Sequence, residues 1–363
     1  MIRKNFYIIR PFTSMKNLSF FAIVSFSILF FSSCAGIQYM SIETREPAQV
    51  TFPAEVKSVL VVNNVVQQPD EIGHNIKKLG KKQFERTKAS ADSVAVFYTE
   101  ALSQFLGEEE YFDEVKYYQK PLRTDDKFWQ EVPISPETMN ELRNSTATDA
   151  IISLDKLILQ TDWTDFYQQE GYKYAGLTGK IHSVIRVYLP SMEGKIPVIQ
   201  FIDSLRWEGY DIRDYGAYAD LIIPSQEEAM KQLAVFSAEK MTKVFSPHWE
   251  YQDRWYYTQM NSKMREGEMF AKSNQWLSAI EKWKESYAKE KSKLNKAKAA
   301  HNIALSYEML DDMDKAYEWA TTAADLFQQS TTTGSLERRR SVLFKKEIER
   351  RKDTSNKLNM QIN

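Results

Sequence analysis

The chain carries a single cysteine, Cys34, which stands directly behind an apolar run from Leu18 to Phe31 and the pair Ser32-Ser33. That placement constrains folding more than any other feature. A lone thiol at the end of a leader leaves no disulfide, no thiol nucleophile and no zinc-thiolate set for the rest of the chain. The body must be held by packing and hydrogen bonds alone. Met15 and Lys16 supply a start and a positive charge, and a short apolar region with small residues before the thiol completes the layout of a bacterial export signal. The apolar run falls short of the roughly 20 residues a helix needs to cross a bilayer. Residues 1–33 therefore read as a signal peptide, with Met15 as an alternative start to Met1.

Phe31-Ser32-Ser33-Cys34 resembles the lipobox of bacterial lipoproteins, with Phe in place of the usual Leu and Ser33 in place of Gly or Ala. The resemblance implies that the Cys34 sulfur receives a diacylglyceryl group and that cleavage frees Cys34 as the new N-terminus. Two or more acyl chains on one residue hold a protein durably on a membrane. Ala35 replaces the aspartate associated with inner-membrane retention, and Ala35 to Tyr39 lack the acidic run of surface-exported relatives. The resemblance thus implies an outer-membrane lipoprotein facing the periplasm. The membrane is a partner through the lipid alone.

With 363 residues, 43% hydrophobic and 13% aromatic, the chain has material for about two domains beyond the leader. Its 48 basic and 49 acidic residues give a net charge of −1, which offers no field for nucleic acid. Residues 34–51 read as the lipidated cysteine and a polar tether. Val56 to Val62 is a β-branched run suited to a strand buried on both faces. Ser90 to Leu106 is an amphipathic helix stopped at Gly107, and Tyr111 to Tyr118 an edge strand. Ser135-Pro136 caps a short helix to about Arg143. Ile151 to Leu159, Lys180 to Leu189 and Val198 to Trp207 are three strands expected to pair antiparallel, and Ser225 opens a helix that ends before Pro247.

Residues 52–247 therefore predict an α/β (or α+β) mixed-sheet sandwich domain. Its element order is similar to the α/β domain of CsgG, LpoB and the N-terminal part of TolB. The combination with helical repeats resembles uncharacterised lipoproteins of Bacteroides-type bacteria. Residues 248–260, with Trp249, Tyr251, Trp255, Tyr256 and Tyr257, read as an aromatic linker that packs between domains or, alternatively, stacks on carbohydrate.

Residues 261–351 change character. Gly267, Phe270, Trp276, Ala279, Trp283 and Ser286 recur in register with Ala304, Tyr307, Met313, Ala316, Ala320 and Ala323. The step (316 − 279 = 37) is close to the 34-residue unit of tetratricopeptide (TPR) proteins, which these small-residue positions resemble. The reading is two TPR repeats and a capping helix, Leu336 to Arg351, followed by a frayed tail, 352–363. In that register Asn261, Lys272, Lys298, His301 and Asn302 project from the first helix of each pair. The resemblance implies a groove that binds an extended peptide, asparagine to backbone and lysine to carboxylate.

Chemistry finds little purchase. His74, His182, His248 and His301 are dispersed, so no metal site and no cofactor are expected. Neither a P-loop nor a Gly-x-Ser-x-Gly elbow occurs. The expectation is a non-enzymatic adaptor or scaffold that docks envelope proteins. The rivals are a glycan-binding lipoprotein similar to the SusD type, and a hydrolase using a loop with Asp162, Trp163, Asp165, Tyr167 and Tyr172.

Overall fold

The computed structural model describes residues 36–78, 81–169, 172–189, 197–211, 223–258 and 260–362, so Cys34 and the leader lie outside the described residues. None of the described helices is long and apolar enough to cross a membrane. Two compact units are present. One comprises Thr44–Glu250 with Thr354–Asn363, and the other Tyr251–Asp353 with the described residues up to Glu43.

The first unit is an α/β mixed sheet. After β1 (Ile37–Glu46) come β2 (Ser58–Asn63), β3 (His74–Lys77), β4 (Glu85–Arg86), α1 (Val94–Glu108), β5 (Glu114–Tyr118), α2 (Pro136–Thr146), β6 (Ala150–Gln169), β7 (Tyr172–Tyr188), β8 (Val198–Asp211) and α3 (Gln226–Phe245). The run Val59–Val62 is fully buried because β2 is central, parallel to β5 on one side (Val59↔Val115) and to β6 on the other (Val59↔Ala150). Strands β6, β7 and β8 pair antiparallel in sequence order, as expected.

The long β6 carries two partners along one edge. Its start pairs β2, and its later part, Thr161–Thr164, pairs β3. Between them the backbone of Leu159 is bonded by a side chain instead of a strand. Gln68 Nε2 donates to the Leu159 carbonyl at 2.9 Å, and the Leu159 N–H donates to Gln68 Oε1 at 2.8 Å. A buried amide thereby stands in for a ladder rung. Close by, Gly73 has φ 87 and a Cβ there would sit 2.4 Å from the Leu159 carbonyl, so the turn into β3 requires glycine.

Helices α1 and α3 cover one face of this sheet, burying Val94, Tyr98, Leu102, Leu233 and Met241 against Leu154 and Ile181. The other face packs Leu142 of α2 and Ile134 on Leu60, Ile151 and Tyr188. Ser135 caps α2 through its oxygen, which accepts from the Thr138 N–H at 3.2 Å, with Pro136 in the first turn.

The second unit is helical. After β9 (His248–Tyr257), which forms a two-stranded sheet with β1, come α4 (Ser262–Lys272), α5 (Trp276–Lys289), α6 (Lys293–Met309), α7 (Met313–Ser330) and α8 (Leu336–Ile362). The turns of its two hairpins repeat atom for atom. Asn274 (φ 55) and Asp311 (φ 57) are both left-handed, and the N–H groups of 273, 274 and 275 bond the carbonyls of 270, 271 and 270. Those of 310, 311 and 312 bond 307, 308 and 307, which is the same pattern displaced by 311 − 274 = 37 positions. Within the first hairpin, Gly267 faces Trp283 so closely that an added Cβ would lie 2.3 Å from the indole Nε1. That indole is fully buried and donates to the Met264 carbonyl at 3.2 Å.

Several expectations need correcting. Residues 37–46, read as tether, form β1. Its inward side carries Thr44 and Glu46 beside Ile42, and these polar residues hid the alternation. Helix α1 runs through Gly107 to Glu108, since one interior glycine costs only about 1 kcal/mol. The linker 248–260 is largely strand β9, in which Tyr256 and Tyr257 are buried while Trp249 and Tyr251 are exposed. The tail 352–363 is helical through Ile362, and buried Gln361 bonds both the N–H and the carbonyl of Ala48. Of the acidic loop, Asp162, Trp163, Asp165 and Tyr167 lie in strand β6 and Tyr172 opens β7, and the Asp162 carboxylate accepts from Asn75 Nδ2 at 2.9 Å.

Candidate functional site

Helix α6 is the centre of the helical unit, and its sequence makes it so. Ala297, Ala299, Ala300, Ile303, Ala304 and Leu305 leave no polar stripe through its later turns, and from Ala299 to Glu308 every residue is buried. Its few polar side chains must then find partners inside. They find them on β9.

Asn302, fully buried, accepts from the Tyr257 N–H at 2.7 Å through Oδ1 and donates to the Tyr257 carbonyl at 2.8 Å through Nδ2. At the preceding position, His301 Nε2 donates to the Trp255 carbonyl at 2.9 Å, while its ring stacks on Trp255 (4.9 Å between centroids, 22° between planes) and meets Phe344 at 4.5 Å. Burial pushes His301 down to about 4, with the Trp255 carbonyl acting against the shift and Arg254 adding to it. The imidazole is therefore neutral at ordinary pH, with its Nδ1 buried and unpartnered. Lys298 Nζ lies 5.6 Å from the centre of the Tyr257 ring.

A buried ionic cluster adds a further hold. Glu308, whose side chain is wholly buried, accepts from Arg254 Nε at 2.9 Å and Nη2 at 2.8 Å, and Arg351 Nη1 of α8 bonds the same carboxylate. Glu347 lies 3.8 Å from Arg254 and 2.8 Å from Arg350, and the Arg350 hydrogen bond lowers its pKa against the opposing effect of burial. Sequence reading missed Arg254, Glu308 and Arg351. Their one signal was a glutamate in an otherwise alanine-rich, amphipathicity-free helix.

The expected peptide groove therefore needs correcting. Asn302 and His301 do lie on one face, but the extended backbone they bond is the chain's own Trp255 to Tyr257. Asn261 is the N-cap of α4, accepting from the Met264 N–H, and its amide donates to Ser286 Oγ at 2.9 Å and Glu290 at 2.7 Å. Lys272 pairs with Glu268 at 2.8 Å on its own helix. Of the five, only the two lysines keep cationic groups turned toward solvent. Buried amides require bonds, and the nearest unpaired backbone was a strand that sequence periodicity did not announce.

In the sheet unit the densest polar cluster surrounds Asp155. Ser153 Oγ, Asn64 Nδ2 at 3.0 Å and the Arg186 guanidinium all bond its carboxylate, and Arg186 also bonds Glu131 at 3.0 Å. Tyr188 is pushed up to about 12 by burial and donates no proton to this set; its oxygen accepts from the Ile134 N–H at 2.8 Å. Buried Lys156 sits 3.9 Å from the Phe128 ring centre, and desolvation lowers its pKa. These bonds fasten the segment from Phe128 to Ile134 over the sheet. Among the described residues no group of histidines and carboxylates could hold a metal ion.

Residues 56–257 match the family model described as "Domain of unknown function (DUF8603)", and residues 265–350 match a second described as "Domain of unknown function (DUF6340)". No curated protein matches the chain.

Proposed function

The chain belongs to the DUF8603 family, whose model covers more than half of its length, and on that premise we propose that it is a lipid-anchored, non-enzymatic docking protein of the bacterial envelope. Its helical unit is of the tetratricopeptide type. The observation that carries this reading is the pair of helical hairpins with identical left-handed turns at Asn274 and Asp311, 37 positions apart, since helix-pair repeats serve as partner-binding surfaces. The lipid on Cys34 holds the body at the periplasmic side of the outer membrane. The inner face of α6 is filled by β9, so an envelope partner uses the outer side of the first hairpin, where Met269 and Leu277 are 70% and 68% exposed.

The test has two arms. Cys34→Ala is expected to leave the membrane fraction or to accumulate uncleaved, and unchanged lipid labelling would overturn the anchor. Affinity capture from envelope extract is expected to recover the same proteins with the wild type and with Lys298→Ala, and to lose them with Met269→Ser and Leu277→Ser together at an unchanged melting temperature. Full recovery with that double variant would sink the docking surface.

A further inference from the structure

Beside the split edge of β6 lies a cleft of about 470 Å³, confined to the sheet unit. It opens beyond the carboxyl end of β2, where the connection through α1 leads to β5 on one side while β6 lies on the other. Crevices of this kind, at the ends of parallel strands where neighbouring connections diverge, are where open α/β sheets take ligands. Leu157, Leu159 and Val65 form its buried floor.

Two independent features supply donors without acceptors. Helix α1 begins abnormally: Ser93 at its N-cap has φ 62, and its hydroxyl donates to Asp92 at 3.2 Å instead of capping the helix. The N–H groups of Ala95 and Val96, which line the cleft, are left with no partner among the described residues. Asn63, 6% exposed, also lines the cleft. Its Oδ1 accepts from the Val65 N–H at 3.0 Å, and its amide nitrogen has no bond among the described residues. An amide donor on a buried residue, open to the cleft next to an uncapped helix end, offers a place for an acceptor oxygen from outside.

The charges on the rim decide what that oxygen belongs to. Arg123 is committed, its Nε and Nη2 bonded to Asp125 and its Nη1 to the Gln130 carbonyl. Among the described residues Asp92 and Asp126 have no cation paired with them. A phosphate dianion would meet two uncompensated carboxylates. A carboxylate carried with an ammonium group satisfies both ends.

We propose that this cleft binds a small zwitterion of the amino-acid or short-peptide class, its carboxylate on the Ala95 and Val96 N–H groups and Asn63, its ammonium beside Asp126. Calorimetric titration of the full chain in detergent with glycylglycine and alanylalanine should give saturable binding with a Kd of about 1 mM or tighter. N-acetylated glycylglycine should bind more weakly. Ala95→Asp places a competing carboxylate in the first turn, where it also favours the helix. Affinity should fall at least about tenfold with the melting temperature equal or higher. The exposed substitution Asp126→Asn should erase the difference between free and acetylated dipeptide. Absence of any binding heat, inorganic phosphate binding more tightly than the dipeptides, or undiminished affinity in Ala95→Asp would each overturn the assignment.

Discussion

Asn302 uses both ends of its side-chain amide on one residue, bonding the N–H and the carbonyl of Tyr257 at 2.7 and 2.8 Å from the middle of a helix. A strand normally satisfies such groups with another strand. Here a helix does so, and the strand is fixed in register against it.

Truncating that amide should therefore be costly. Asn302→Ala leaves two buried backbone groups unpaired, and the expected loss is about 3 kcal/mol. Urea titration of the variant measures it, together with faster amide exchange at Tyr257. An unchanged midpoint would mean that water replaces the amide and that the face is open.

Stability should fall with acid through His301. The buried ring stays neutral down to about pH 4, whereas in the unfolded chain it ionises near 6.5. Its contribution is complete above pH 6.5 and is lost as pH falls from 6.5 toward 4, because the unfolded state takes up the proton first. The loss is about 3 kcal/mol. Desolvation lowers His74 too, which adds a loss of the same sign. Unfolding free energies between pH 7 and 4.5 should drop less steeply in His301→Gln, and parallel curves would refute the assignment.

Glu308→Gln strips the charge from between Arg254 and Arg351. Leaving buried guanidinium groups without their counter-ion should cost roughly 3 kcal/mol or more. Adding Arg254→Met to Glu308→Gln should recover part of it. A double variant as unstable as the simple sum of the two single changes would show that the two residues act separately.

Gly267→Ala drives a methyl group into Trp283 and should cost about 1–3 kcal/mol. Position 304 of the second hairpin already holds alanine, and the counterpart of Trp283 there is Ala320. The two hairpins thus balance small against large differently. Thermal melts of Gly267→Ala, Trp283→Ala and the pair should be non-additive, with the pair less damaged than the sum; strict additivity would count against the contact.

The sheet was legible where one face or both were apolar: Val59–Val62, the alternation through Ile181 and Ile185, and the Ser135-Pro136 cap all stand where pattern placed them. The 37-position step was legible because alanines and turns repeat. What sequence could not give was β1 and β9, whose buried positions include Thr44, Glu46, His248 and Arg254. Polar residues buried by long-range partners break the binary code that periodicity depends on. The same cause misdirected the groove. Asparagine was expected to bond backbone, and Asn302 does, but which backbone it and His301 bond depends on a strand more than 40 positions earlier in the chain.

The hold of α6 on residues 254–257 also sets where this chain can be cut. The helix-matching segment begins at residue 265, yet a fragment starting there would lack Arg254, Trp255 and Tyr257, and would uncover Asn302, His301 and Glu308 together. Likewise a chain stopping before Arg351 would lose the second guanidinium on Glu308. The smallest autonomous helical piece must reach from ahead of Arg254 to beyond Arg351. As the chain is synthesised, the first hairpins therefore wait for the last helix before their central helix has all of its ionic partners.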